Sequence, residues 1–195
     1  MDDDIFETNI RNEIRDWSKT FLEKPNKNYN NFPACPFAAK AWADNRVDIQ
    51  FSYDNSPLEF YQILSNYDDR FELVILIDLG YDSNSDRFHE YLSGINETIA
   101  QNCFGDRDLF VMGFHPEDES NELLNNEETI ETQTFETESE EMYSMIFIQR
   151  LSLLCEASNK LQKKRYYDRK FGNYEVSNIL ENRNNLFKRM IKCQN

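Results

Sequence analysis

The middle of the chain alternates between two kinds of apolar pattern, and this alternation restricts the fold more than any other feature of the sequence. Apolar runs or apolar–polar alternation over residues 47–53, 71–78 and 108–114 predict strands. Apolar residues at helical spacing predict helices over 56–67 and 85–101, the first opened by a serine followed by a proline. A β-α-β-α-β order favours right-handed crossovers and a parallel sheet.

The run FELVILID, residues 71–78, is almost continuously apolar, which is typical of a central strand covered on both faces. We therefore expect a single α/β domain over 1–195, because a chain of this length forms one ordinary domain. Its sheet is expected to be small, mainly parallel and flanked by helices, with a C-terminal helical pair. The alternative is a ferredoxin-like variant, which requires an extra antiparallel strand, with 129–135 as the candidate.

Further helices are predicted on both sides of this core. Apolar residues recur at intervals of three or four over 3–23, which indicates an amphipathic helix, and 36–43 is a short helix candidate. The C-terminal helices are expected to fill 142–195, the first of them continuous from 142 to 167. Residues 117–141 form an acidic segment without a clear period, which predicts a long loop.

The charge is strongly negative and unevenly distributed. The formal net charge is -15; residues 1–149 carry 10 basic and 32 acidic side chains, whereas residues 150–195 carry 11 basic and 4 acidic ones. Between Arg107 and Arg150 there is no lysine or arginine. This balance argues against binding to nucleic acid or to an anionic membrane surface. An acidic face suits a basic protein partner instead.

The cysteines and the apolar runs bear on the compartment. Cys35, Cys103, Cys155 and Cys193 form neither a CxxC pair nor a zinc-ligand spacing. The longest strictly apolar run, LVILI over 73–77, is far too short to span a membrane, and the N-terminus MDDDIFET has no signal-peptide pattern. We therefore expect a soluble cytoplasmic protein with free thiols. The sequence identifies no cofactor and no metal.

The segment FPACPFAAKAW, residues 32–42, contains the most distinctive candidate for chemistry. Cys35 lies between Pro33 and Pro36, and proline is favoured at the first position of a helix, so a helix is predicted to begin at Pro36. The Cys35 thiol would then lie at a helix N-terminus, where the helix dipole favours the thiolate. The alternative is a tight packing turn in which Cys35 is a small buried side chain.

Polar residues follow the second and third predicted strands. Asp78 ends one strand and His115 directly follows the other, and ligands of an open parallel sheet bind beyond the carboxyl ends of its strands. His115 is therefore a candidate base or metal ligand, and Asp78 a tentative catalytic carboxylate; the alternative is that both only cap strand ends. His89 is interpreted as an ordinary boundary histidine on its helix. Three acidic residues after His115 could bind a hard cation, although they lack the spacing of a calcium loop and a solvated loop is preferred: Glu117, Asp118 and Glu119.

Three short motifs resemble an uncharacterised bacterial protein family. ACPFA at 34–38, FHP at 114–116 and RLSLLCEAS at 150–158 follow the order of a family whose members carry an LCPFA segment, a βαβαβ stretch, an FHP segment and a late helix. The match covers about residues 10–160. The resemblance implies these site-like positions: Cys35, Pro36, His115 and Pro116. It implies no particular reaction.

Two functions of different class follow. The first is a binding or regulatory protein on an enzyme-like scaffold, whose partner is a basic protein or a small molecule. The alternative is a thiol-dependent enzyme acting on a small molecule, with Cys35 as nucleophile, His115 as base and Asp78 or Glu117 as the orienting carboxylate. In the late helix the family tends to have a histidine and an arginine, where this chain has Ser152 and Cys155. That departure favours the binding function.

Overall fold

The computed structural model describes residues 3–54, 56–80, 84–104, 108–118, 143–168 and 173–193. Its helices are α1 (Asp3–Trp17), α2 (Ala38–Ala43), α3 (Pro57–Ser65), α4 (Ser85–Ala100), α5 (Leu151–Lys163) and α6 (Asn173–Cys193). Its strands are β1 (Pro25–Asn26), β2 (Phe32–Pro33), β3 (Val47–Ser52), β4 (Leu73–Asp78), β5 (Leu109–Phe114) and β6 (Ser144–Arg150). Within this part of the chain, no helix has the length and apolar character needed to cross a membrane.

Four strands form the central sheet in the order β3-β4-β6-β5. β3 and β4 are parallel, whereas β6 is antiparallel to both β4 and β5. The three strands predicted from the alternation therefore run in one direction, but β4 and β5 are not neighbours. The α/β class is confirmed. The mainly parallel βαβαβ sheet is not confirmed, because only one of the three strand pairings is parallel.

The strand that separates β4 from β5 replaces the first two turns of a predicted helix. Residues 144–150 pair with β4 on one side and with β5 on the other, and α5 begins only at Leu151. Residues 144–148 are all buried, so the apolar run satisfies a strand covered on both faces as well as it would satisfy a buried helix. The ferredoxin-like alternative is not confirmed either, and its candidate strand, 129–135, lies outside the described residues.

The alternating side chains of β4 divide the apolar residues between two cores. Val74 and Leu76 pack with apolar residues of α3, α4, α5 and α6. Ile75 and Ile77 pack on the other face, against α1 and the region of α2. β6 alternates in the same way. The result is a three-layer arrangement in which helices cover both faces of the sheet.

Helix α4 packs directly on the edge strand β5. Gly113 makes this approach possible, since a Cβ placed there would lie 2.2 Å from Cε1 of Phe88 and 2.5 Å from Cδ1 of Leu92. The Asn96 side chain donates to the carbonyl of Val111 at 2.8 Å and accepts from its N–H at 2.9 Å. These two bonds occupy edge groups of β5 that a further strand would otherwise use.

The N-terminal helix is confirmed over nearly its predicted length, because α1 continues into a π-helical turn at Ser18–Leu22. The β1–β2 hairpin that follows packs on the turn after α5. The rings of Tyr29 and Tyr166 stack with centroids 5.0 Å apart, and the Tyr166 hydroxyl donates to the carbonyl of Ala34. These contacts hold the segment that contains Cys35 against the turn after α5.

Candidate functional site

A row of four buried polar residues crosses the carboxyl edge of β3, β4 and β5. Ser52 pairs with Asp78, and Asp78 pairs with Ser144 at the start of β6. His115 follows directly after the last strand pair of β5, which is one position from Ser144. All four are buried. Because strand side chains alternate, all four lie on the face covered by α3 and α4.

The members of this row have partners from the surrounding loops and helices. The Ser52 hydroxyl donates to Oε2 of Glu59 on α3 at 2.7 Å, and the Gly80 N–H donates to Oδ1 of Asp78 at 3.1 Å. Asp78 therefore lies at the carboxyl edge of the two parallel strands, and its role as a site residue stays a prediction. Its bond to Gly80 also fits a carboxylate that caps the strand end.

The ring of His115 is fixed by its own turn. Nδ1 accepts a hydrogen bond from the N–H of Glu117 at 3.2 Å, and the ring lies 5.4 Å from that of Phe88. A neutral imidazole that accepts at Nδ1 carries its proton on Nε2. In this tautomer Nε2 is a donor, and the lone pair at Nδ1, which could accept a proton, is already bonded to the backbone.

Asp118 is the centre of a cluster that joins α4 to the turn after β5. Its carboxylate accepts from the N–H of His115 at 2.8 Å and from the hydroxyl of Ser85 at 2.5 Å, and it lies 2.8 Å from Nε2 of His89. Burial alone would raise the pKa of Asp118, but these three hydrogen bonds hold it below its ordinary value. Asp118 is therefore a charged anchor within the protein.

The cluster does not have the order of a nucleophilic triad. In such a triad the histidine lies between the hydroxyl and the carboxylate, so that it can take the hydroxyl proton. Here Ser85 and His89 both bind the same oxygen of Asp118. His89 is therefore more than the ordinary boundary histidine expected from the sequence, and Ser85 joins the cluster without being among the expected site residues. The separation of the two by one helical turn on α4 is the signal that the sequence contains.

Only two of the three acidic residues after His115 are described, and they face different ways. Glu117 is exposed, Asp118 points inward, and Glu119 lies outside the described residues. Among the residues that the structure describes, no three histidine, cysteine, aspartate or glutamate side chains are grouped so as to hold a metal ion.

Cys35 lies in a turn that precedes α2. The helix begins at Ala38, two residues later than predicted, and the backbone N–H of Cys35 donates to the carbonyl of Leu22 at 2.9 Å. Burial raises the pKa of the Cys35 thiol; the nearby backbone N–H groups of Phe37 and Ala38 oppose this rise, while the charge of Glu23 adds to it. The environment therefore favours the thiol over the thiolate.

The structure does not bring Cys35 to His115. The backbone N–H of Cys35 donates to the carbonyl of Leu22. Leu22 packs against the apolar core between α1 and one face of the sheet. His115 packs against Phe88 in the core on the opposite face. The sheet separates the two side chains, although each lies close to where the sequence placed it along the chain.

A cavity of about 710 Å³ occupies the α1 and α2 side of the sheet and reaches α5. Ile75 and Phe147 form part of its floor, and both tryptophans of the chain, Trp17 and Trp42, line its walls together with Cys35. The lining continues along the carboxyl half of β5 to the turn beyond it, and on another side the lining reaches α6.

Two apolar side chains at this cavity are left open to solvent. Phe37 is 41% exposed and Leu153 is 42% exposed, and both belong to the lining. Large apolar side chains exposed within a concave surface mark binding sites more often than those scattered singly over a surface.

Comparison with known proteins adds no relative. No family model matches the chain, and no curated protein or solved structure is found to be similar to it. The resemblance to the bacterial family with the LCPFA and FHP segments therefore stays a prediction.

Proposed function

We propose that this protein binds a small molecule with an apolar body in the cavity between the sheet, α1, α2 and α5. The observation that carries the proposal is the cavity itself. Its volume, about 710 Å³, falls in the range of roughly 300–1,000 Å³ that small-molecule sites occupy. The exposed side chains of Phe37 and Leu153 would lose contact with water when such a molecule binds.

The geometry supports binding over thiol-dependent catalysis. A nucleophilic cysteine needs a thiolate and a base within hydrogen-bond reach. Burial disfavours the thiolate of Cys35, and His115 lies across the sheet with its Nδ1 already bonded to the backbone. Cys35 instead contributes a small side chain to the cavity wall. The basic protein partner rests on the net charge alone and stays a prediction.

The test is titration with 1-decanol, a neutral probe with an apolar chain. Both tryptophans line the cavity, so we expect bound decanol to change the intrinsic tryptophan fluorescence in a saturable way. Ala157 also lines the cavity, and the substitution Ala157→Phe should fill part of it and weaken decanol binding. Ala39→Phe is the matched control, because Ala39 is exposed and outside the lining.

Two results would contradict the proposal. One is the absence of any saturable fluorescence change with decanol. The other is equal binding by the Ala157→Phe and Ala39→Phe variants, provided that both have the circular dichroism spectrum of the parent protein. In either case the cavity would not be where the apolar molecule binds.

A further inference from the structure

An arginine lies inside the cavity near the start of β5. Arg183 of α6 places its guanidinium carbon 5.7 Å from the centre of the Phe110 ring, and its Nη1 lies 3.4 Å from Oγ of Ser158. Ser158 is buried, and both Arg183 and Ser158 belong to the lining. A guanidinium has five N–H donors, so this single long contact uses little of its capacity.

Among the residues that the structure describes, Arg183 has no carboxylate within 4.0 Å, unlike most of the other arginines. Of the nine arginines whose side chains are described, seven have a carboxylate within 4.0 Å. The remaining two are Arg87, which is exposed, and Arg183, which faces the cavity. Burial lowers the pKa of Arg183, as expected for a guanidinium withdrawn from water without a counter-charge, although Tyr167 and Cys155 act in the opposite direction.

The acidic side chains at the cavity do not compensate this charge, because they are engaged elsewhere. Glu72 pairs with Arg46 at 3.0 Å, and Glu156 pairs with Lys160 at 2.6 Å. Asp118 binds His89 and Ser85 beyond the other end of β5. A buried charge without a partner is costly, and an anionic ligand would remove that cost.

We infer that the ligand of this cavity carries an anionic group, a carboxylate or a phosphate, which binds the guanidinium of Arg183 beside the hydroxyl of Ser158. The inference rests on the proposed function and adds the chemical class of the ligand. The apolar body would lie along the sheet face towards the tryptophans. The planar fork of an arginine matches both kinds of anion through two parallel hydrogen bonds.

The experiment compares four probes that share a ten-carbon chain: 1-decanol, decanoate, decyl phosphate and decyltrimethylammonium. Each is titrated at neutral pH, below its micelle-forming concentration, into the full-length chain, with tryptophan fluorescence as the readout. Hydrogen bonds to a charged group are strong enough that we expect an anionic probe to bind roughly ten- to a hundredfold tighter than decanol. The tighter of decanoate and decyl phosphate then identifies the anion.

The variants assign the preference to Arg183. Arg183→Gln should bind the anionic probes no more tightly than decanol and should bind decanol as the parent protein does. Arg189→Gln is the matched control on the same helix, since Arg189 is half exposed and pairs with Glu97 at 2.7 Å. It should keep the anion preference, because an exposed pair contributes little.

The outcomes separate this inference from the proposed function. If decanol binds and neither anion binds more tightly, the inference is wrong and the apolar site stands. A preference that persists in Arg183→Gln also overturns the inference. If none of the four probes binds, the proposed function itself fails. Should Arg183→Gln not fold, the parent protein still tests the inference, because the inference fails if neither anion binds more tightly than decanol.

Discussion

Replacing Gly113 with alanine would force a methyl group into the contact between β5 and α4. The new Cβ would lie 2.2 Å from Cε1 of Phe88, which is about 1.3 Å closer than the roughly 3.5 Å at which carbon atoms normally meet. A second close contact, 2.5 Å, is to Cδ1 of Leu92. Both neighbours are buried, so neither can move into solvent. Overpacking of this kind costs about 1–3 kcal/mol.

Gly94→Ala is the matched control, and we expect it to change the free energy of unfolding in the opposite direction. Gly94 is an exposed residue inside α4, and nothing lies within 4 Å of the position that its Cβ would occupy. Alanine should therefore stabilise the helix by about 0.5–1 kcal/mol. Urea unfolding, followed by circular dichroism, measures both changes in the free energy of unfolding.

The close contact at Gly113 also predicts an energetic coupling between Gly113 and Phe88. Because the clash at Gly113 is mainly with the end of the Phe88 ring, Phe88→Leu should cost less in the Gly113→Ala background than in the parent protein. Unchanged stability of Gly113→Ala, or additive costs in the double variant, would show that α4 is not seated on β5 as described.

Three other predictions concern the sheet edge and the thiols. Asn96→Leu should lower the free energy of unfolding by about 1–3 kcal/mol, since it leaves the edge groups of Val111 without partners, and hydrogen exchange at the Val111 amide should accelerate; unchanged exchange would count against those bonds. Asp118 has a lowered pKa, so its contribution to stability is present above its ordinary value of 3.8 and is lost as the pH falls through the folded value. Asp118→Asn should therefore destabilise at neutral pH, and this loss should shrink as the pH falls below 3.8. A loss that is independent of pH in urea unfolding would refute this. Iodoacetamide should alkylate Cys103, which is exposed, well before Cys35, whose pKa is raised by burial. If mass spectrometry finds Cys35 labelled first, the result would instead support the hypothesis of a thiol-dependent enzyme.

The five elements from β3 to β5 could be predicted because each carries its own apolar period. The boundary between β6 and α5 could not, because the apolar run passes through it without a glycine or proline. The start of α5 is instead fixed by Asp108, which directly precedes β5 and so lies beside the end of the antiparallel strand β6. Its carbonyl accepts from the N–H of Leu151 at 2.8 Å and its carboxylate from the N–H of Ser152 at 3.2 Å. The local apolar pattern around residue 151 cannot predict a hydrogen-bond partner so distant in the sequence.

The candidate site, like the fold, could be predicted from the sequence only in part. The positions of Asp78 and His115 at strand ends followed from the strand pattern, and both lie there. The partnership of Asp118 with His89 depends on how α4 packs against the turn after β5, which the sequence does not state. The charge of Arg183 follows from the sequence, but that no described carboxylate pairs with it depends on how α5, α6 and β5 are assembled.

The position of β6 between β4 and β5 also sets the order in which the strands can pair during synthesis. β3 and β4 can pair as soon as they are synthesised, but β4 and β5 have no bonds to each other and must wait for residues 144–150. Pairings so distant in sequence close slowly, and the waiting strands keep open edges meanwhile. A fragment that ends before Ser144 would therefore expose the unpaired edges of β4 and β5, with room for one strand between them. A peptide with the sequence of β6 is the complement that such a fragment would bind.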